Sequence, residues 1–170
     1  AARFIEASFL NADIPYRFIG GTKLMESAHI RDVLAAVRVV VNPHDEIGWM
    51  RFLTLWDGLG ETTAAKYIEL FMRHASLSDS IAYLKTASKL DVQASTLLDS
   101  LSHLSQDAPA ALNLAIAMLT PILEDRYANK EWDKRKKDIA LLSQLAATYT
   151  SVSEFMTDYV LDPVTSSDAA

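Results

Sequence analysis

The chain has 170 residues, half of them hydrophobic and 22% charged, with only five glycines and five prolines. That is the make-up of one globular domain with a real core, weighted toward helix. Cysteine is absent and the net charge is −6, which excludes a disulfide framework, fits a cytoplasmic setting and argues against a free-standing nucleic-acid binder, a class that is usually basic. No apolar run reaches the roughly 18 residues that span a bilayer, so no membrane partner is expected. The sequence opens on Ala1-Ala2-Arg3 with neither an initiator methionine nor a signal pattern, and reads as a piece of a longer protein.

In chain order, 3–11 places Phe4, Ala7, Ser8 and Leu10 at helical spacing. Ile14-Pro15-Tyr16-Arg17-Phe18-Ile19 alternates, is rich in β-formers and ends at Gly20-Gly21, which predicts one short strand. A lone strand needs a pairing partner from outside the chain. Helices follow in series. The first, over 30–41, carries Val33, Leu34, Val37, Val40 and Val41 and stops at Asn42-Pro43. Asp45 caps the next, to about Trp56. One over 62–74 follows a glycine turn. Ser78 or Asp79 caps a short helix to about Ala87, and Asp91 opens another to Leu104. Asp107 precedes a long apolar stretch to Tyr127 in which Pro121 predicts a kink or a break. A helix over 129–149 is charged early and apolar late. Ser151 caps the last, to Leu161, with Glu154 at the capping-box position, and Asp162-Pro163 ends it. The fold class is mainly α: a multi-helix domain with a helix-hairpin-helix-like turn and one short N-terminal strand.

The chemical inventory is thin. His29, His44, His74 and His103 are far apart without metal-ligand spacing and read as surface or rim residues. No Walker loop, serine elbow or paired carboxylates stand out, so no catalytic residue, cofactor site or metal site is assigned. The run Lys130-Glu131-Trp132-Asp133-Lys134-Arg135-Lys136-Lys137-Asp138 reads as a solvated helix face with Glu131–Arg135 and Asp133–Lys137 pairs, against a phosphate-binding patch. Arg31 and Arg38 share one helix face and read as structural or domain-facing, with Asp32 pointing elsewhere.

The segment Trp56-Asp57-Gly58-Leu59-Gly60-Glu61-Thr62-Thr63-Ala64-Ala65-Lys66 carries the most information. Two glycines flank one apolar residue and a helix start follows. Glycine admits backbone conformations closed to other residues and a close backbone approach. The helix then opens with unpaired N–H groups and a partial positive charge, suited to phosphate oxygens. Such a turn holds a nucleic-acid backbone without reading its sequence. The candidate DNA-binding residues are Gly58, Leu59, Gly60, Thr62, Thr63 and Lys66, with Leu59 anchored in the core and Lys66 the nearby cation. The plainer alternative is a glycine corner between packed helices.

The order Ile14-Pro15-Tyr16, Gly20-Gly21, Ile30-Arg31-Asp32-Val33-Leu34-Ala35-Ala36-Val37-Arg38, Asn42-Pro43-His44-Asp45, Arg51 and Gly58-Leu59-Gly60 resembles superfamily 1 DNA helicases of the UvrD/Rep/PcrA type. Near the end, 133–139, Leu145-Ala146, Ser153-Glu154-Phe155 and Leu161-Asp162-Pro163 resemble one branch of that family. The likeness covers nearly the whole chain and is specific through order and spacing. It implies the helical 2B insertion of the second RecA-like motor domain. Residues 1–21 would be a piece of that motor domain, 22–163 the 2B-like accessory domain and 164–170 a frayed tail. The parent would bind ATP and Mg²⁺ outside this chain, hydrolyse ATP and separate DNA strands, with roles in DNA repair. The chain alone would contact duplex DNA or regulate unwinding without catalysis.

The chain departs from the family pattern in places. Many family members carry Lys or Arg just before the glycine turn, and one branch has Pro-Lys just after it. Here Trp56-Asp57 and Glu61-Thr62 stand there, and the two acids oppose phosphate. The family's helix-start acid is His29, its nearby aromatic is Leu24 or Met25, and Arg51 lies one residue nearer the turn. The competing function is a helical protein–protein interaction module.

Overall fold

The computed structural model describes residues 23–161. The expected strand over 14–19, the helix over 3–11 and the tail lie outside the described residues. A helical turn over 23–26 leads into α1 (Ala28–Val41), α2 (Glu46–Leu53), α3 (Glu61–Phe71), α4 (Leu77–Thr86), α5 (Val92–Leu101), α6 (Ala108–Arg126), α7 (Trp132–Ala146) and α8 (Val152–Met156), which widens into a π-helical turn, Thr157–Leu161. The fold is mainly helical, with no strand among the described residues.

The centre of the domain is α1. Its residues Ile30, Val33, Leu34, Ala35, Ala36, Val37 and Val39 are all buried, because α2, α5, α6, α7 and α8 all pack on it. A helix apolar nearly all round belongs inside a bundle. It ends where the sequence predicts. Pro43 forces the preceding residue into extended backbone, and Asn42 sits at φ −134°, ψ 95°. Asp45 then serves two helices. Its Oδ1 accepts from the Gly48 amide at 2.9 Å and caps α2, while its Oδ2 accepts from Arg38 Nε of α1 at 2.8 Å. Arg38 is thus held structurally, and Arg31 is exposed.

Aromatic packing fixes α2 against α3. The Trp49 ring lies 4.6 Å from Phe71, and Phe52 lies 5.9 Å from Trp56. The second helix is shorter than predicted. The Thr54 hydroxyl donates back to the Met50 carbonyl at 2.7 Å, the chain leaves the helix after Leu53, and Leu55 and Trp56 enter the core from the turn.

Asp91 and Ser151 start their helices as expected, and Asp107 caps α6; they accept from the amides of Gln93, Glu154 and Ala110. Other boundaries shift. The third helix spans Glu61–Phe71 rather than 62–74, and the fifth stops at Leu101, three residues short of the expected end. The fourth is capped by Ser76, not Ser78 or Asp79. That start puts Ile81 and Leu84 in the core, with Ser80 buried beside them. Pro121 does not break α6, which runs on to Arg126. An interior proline costs roughly 3 kcal/mol. Leu119 and Leu123 on either side of it are fully buried, and burial of such side chains contributes roughly 1.5–3 kcal/mol each. Packing therefore outweighs the lost hydrogen bond. The seventh helix starts at Trp132, not 129, because Glu131 takes a left-handed conformation, φ 61°, ψ 45°, which costs roughly 1–2 kcal/mol for a residue with a side chain.

Candidate nucleic-acid interface

The two glycines of the turn between α2 and α3 serve different ends. Gly58 has φ +93°, and a Cβ there would lie 2.7 Å from the Lys89 carbonyl oxygen. Left-handed backbone and close approach both require glycine at this position. Gly60 is ordinary extended backbone, φ −90°, ψ 177°, and a Cβ there would meet nothing within 4 Å. It is the N-cap of α3 and offers no side chain to the helix amides. Its carbonyl accepts the first helical bond, from Ala64 at 2.9 Å. The amides of Glu61, Thr62 and Thr63 belong to the set that no helical carbonyl satisfies. Leu59 is 6% exposed and anchors the corner in the core.

Of the remaining predicted residues, Thr62 and Lys66 are exposed and Thr63 is half-buried. Asp57 and Glu61 are exposed around them. The helix dipole favours Glu61 at its start, but both acids oppose phosphate. Lys66 is the one cation within the first two turns of α3. Trp56, next to the turn, is 3% exposed and its indole N–H has no protein partner.

A second polar system joins α1, α2, α6 and α7. Asp32, 1% exposed, accepts from Arg51 Nε at 2.8 Å on Oδ1 and from the Tyr127 hydroxyl at 2.7 Å on Oδ2. Arg51 also reaches the Ala28 carbonyl, and Arg126 donates to the Thr54 carbonyl at 3.2 Å. Next to Tyr127, Arg135 lies 4.4 Å over the ring. It donates Nη1–H to His29 Nδ1 at 2.8 Å and Nε–H to the Lys130 carbonyl at 2.7 Å. Arginine has no acceptor, so Nδ1 carries no proton and His29 Nε2–H donates to Asp138 Oδ2, at 2.9 Å. Burial holds the His29 pKa below its ordinary value, aided by the Arg135 charge and opposed by the bond to Asp138. Burial, with the bond to Asp32, pushes the Tyr127 hydroxyl up to about 12.

The sequence profile of the UvrD-like helicase C-terminal domain family matches residues 1–159. The chain belongs to that family. Among similar proteins, this UvrD-like domain is 27% identical over 162 residues to the ATP-dependent DNA helicase PcrA of Bacillus subtilis, covering 91% of the chain and 21% of that protein. It is 36% identical over 66 residues to the ATP-dependent DNA helicase UvrD1 of Mycobacterium tuberculosis, 38% of the chain and 9% of that protein. It is 38% identical over 53 residues to a probable DNA helicase II homolog of Rickettsia conorii, 31% of the chain and 8% of that protein. The chain therefore spans about a fifth of the length of the Bacillus subtilis protein. No solved structure matches it.

The UvrD-like domain brings Gly58, Leu59, Gly60, Thr62 and Thr63 together at one corner, with Lys66 one turn into α3. It corrects two readings of the sequence. His29 is 2% exposed and belongs to the interior, while His44 and His103 are exposed and His74 is half-buried. The i,i+4 pairs of the charged run do not form: Arg135 turns inward to His29 and Tyr127, and no ion pair joins Asp133 to Lys137. What the sequence reading missed is the Asp32 system. Its signal was an acid inside the apolar run of α1, flanked by Ile30, Val33 and Leu34. Buried carboxylates are almost always paired. Among the described residues no cluster of three His, Cys, Asp or Glu could hold a metal ion, and no helix is long and apolar enough to cross a membrane.

Proposed function

We propose that this chain is the helical 2B-like accessory insertion of an ATP-dependent DNA helicase. In this reading 1–21 belongs to the second motor domain and 22–163 to the insertion, and ATP and Mg²⁺ act elsewhere in the parent. The glycine turn meets the backbone of duplex DNA. Thr62 and Thr63 present amides and hydroxyls, and Lys66 supplies the cation. The observation that carries this reading is the start of α3, in a chain of helicase lineage: no side chain caps it, and the space around Gly60 is open. Donors that the protein leaves unsatisfied can take phosphate oxygens without giving up an internal bond.

The contact is weak, independent of sequence and salt-sensitive, since one cation is engaged. In the full-length protein, Lys66→Glu should weaken duplex binding at low salt and reduce the salt slope by about 1. Gly60→Trp adds bulk where the fold has room and should block the approach of DNA while leaving the domain folded. The second reading, a protein-interaction module, is favoured by the net charge of −6 and by the acids Asp57 and Glu61 at the turn. If both variants fold and keep wild-type duplex affinity and unwinding, the turn is a structural corner and the second reading replaces the first.

A further inference from the structure

We propose that His29 is a proton-operated latch: neutral, it fastens the start of α7 to α1, and protonated, it releases Arg135 and with it the first turn of α7. The geometry dictates this. His29 Nδ1 faces Arg135 Nη1 at 2.8 Å, and both atoms cannot carry a proton on that line. A proton can reach Nδ1 only when the guanidinium has swung away. The other ring nitrogen already bears a hydrogen, committed to Asp138. Protonation thus keeps and strengthens the Asp138 contact and breaks the Arg135 contact.

What Arg135 holds makes its departure matter. Its Nε–H grips the Lys130 carbonyl, one residue before the left-handed Glu131, and its guanidinium covers Tyr127. No side chain caps α7 at Glu131, so Arg135 is the polar side chain that ties this strained entry to α1 and α6, beside the apolar contact of Trp132. Once it leaves, the stretch 128–131 loses its side-chain tie, and the first turn of α7 keeps only the partly buried Trp132 against the core. The groups facing His29 divide accordingly. Asp138 of α7 and Asp32 of its own helix favour the proton; Arg135 and burial among α1, α6 and α7 oppose it. Arg51 and Tyr127 already occupy Asp32, and Lys23 and Glu26 on the preceding turn are exposed to water. The Tyr127–Asp32–Arg51 system does not use His29 and stays closed, so the release is local to α7.

Amide exchange by mass spectrometry on the full-length protein tests this, at about pH 5.5 and about pH 7.5, on either side of the ordinary histidine range. After correction for the chemical rate, protection of 130–138 should fall as pH drops below 6.5, by up to about tenfold per pH unit for one coupled proton. Protection of 28–41 should hold. His29→Gln offers an acceptor and a donor without a titrating proton and should flatten the response of 130–138. Arg135→Gln removes the opposing cation and leaves Asp138, so the His29 titration midpoint, read from exchange of its ring C2 hydrogen, should move up. Equal corrected protection of 130–138 at both pH values in the wild type overturns the latch. So does loss of protection shared equally by 28–41, or an unmoved midpoint in Arg135→Gln. The last measurement decides the matter even where His29→Gln fails to fold.

Discussion

Asp32 and the start of α3 are both polar features set against the core, and they are satisfied in opposite ways. Asp32 is closed: each carboxylate oxygen has a partner from another helix or its cap, Arg51 or Tyr127. The α3 amides are open: Gly60 contributes no cap and nothing crowds it. A polar group completed by the protein fixes helix positions and has nothing left for a ligand. One left to solvent can exchange water for an outside acceptor at little cost to folding. Polar content alone therefore does not separate a structural polar group from one free to meet a ligand; the state of its hydrogen bonds does.

The comparison breaks most visibly at the closed end. Arg51→Ala leaves the Asp32 carboxylate buried with one partner, and loss of one member of a buried pair costs roughly 3–5 kcal/mol. The partial exposure of Arg51 places the expected loss near the lower figure, about 3 kcal/mol, in urea denaturation. A loss below about 1 kcal/mol, the scale of a surface pair, would mean that water reaches Asp32 and the closed end is not closed.

The two glycines sharpen the contrast within the turn itself. Gly58→Ala must adopt left-handed backbone and push against the Lys89 carbonyl, for a loss of about 2 kcal/mol. Gly60→Ala meets neither problem and should cost less than about 1 kcal/mol as a changed N-cap. Equal losses for the two would show that the turn relaxes around either residue.

Acid titrates the network beside Asp32, through His29. The His29 pKa is lowered in the folded state, so the unfolded chain takes up the proton first. The contribution of His29 is fully present above the ordinary value of 6.5 and is lost as pH falls below it toward the folded-state value. Melting temperature measured from about pH 7.5 to about pH 5.5 should fall more in the wild type than in His29→Gln; parallel curves would remove His29 from the linkage.

The smallest effect on folding is expected at the open end. Lys66→Glu should change stability by no more than about 0.5 kcal/mol, as surface substitutions do. A larger change in chemical denaturation would mean that Lys66 has a structural partner and is a poor probe of DNA contact.

Much of the helical framework was legible in the sequence. The caps Asp45, Asp91, Asp107 and Ser151 each bond an amide two or three residues on, within reach of local pattern. The stop at Asn42-Pro43 follows from proline sterics, and the burial of Leu59 from an apolar residue between two glycines at a corner. The candidate interface was legible for the same reason: it is one continuous stretch of chain. Ser76, Ser78 and Asp79 show the limit. All three can cap, and the choice fell to the start that buries Ile81 and Leu84.

The sequence by itself determined a helical domain, its helix order, most of its caps and the glycine corner, because those depend on neighbours within about four residues. The tertiary structure decided which polar groups are closed. Tyr127 meets Asp32 across 95 positions, and Asp138 meets His29 across 109. It also carried α6 through Pro121, turned Arg135 inward and held Glu131 in a left-handed bend. At Pro121 and Glu131 a local preference worth about 1–3 kcal/mol, and at Arg135 an i,i+4 pair worth about 0.2–0.5 kcal/mol, yielded to tertiary packing. That term exists only once distant segments have come together.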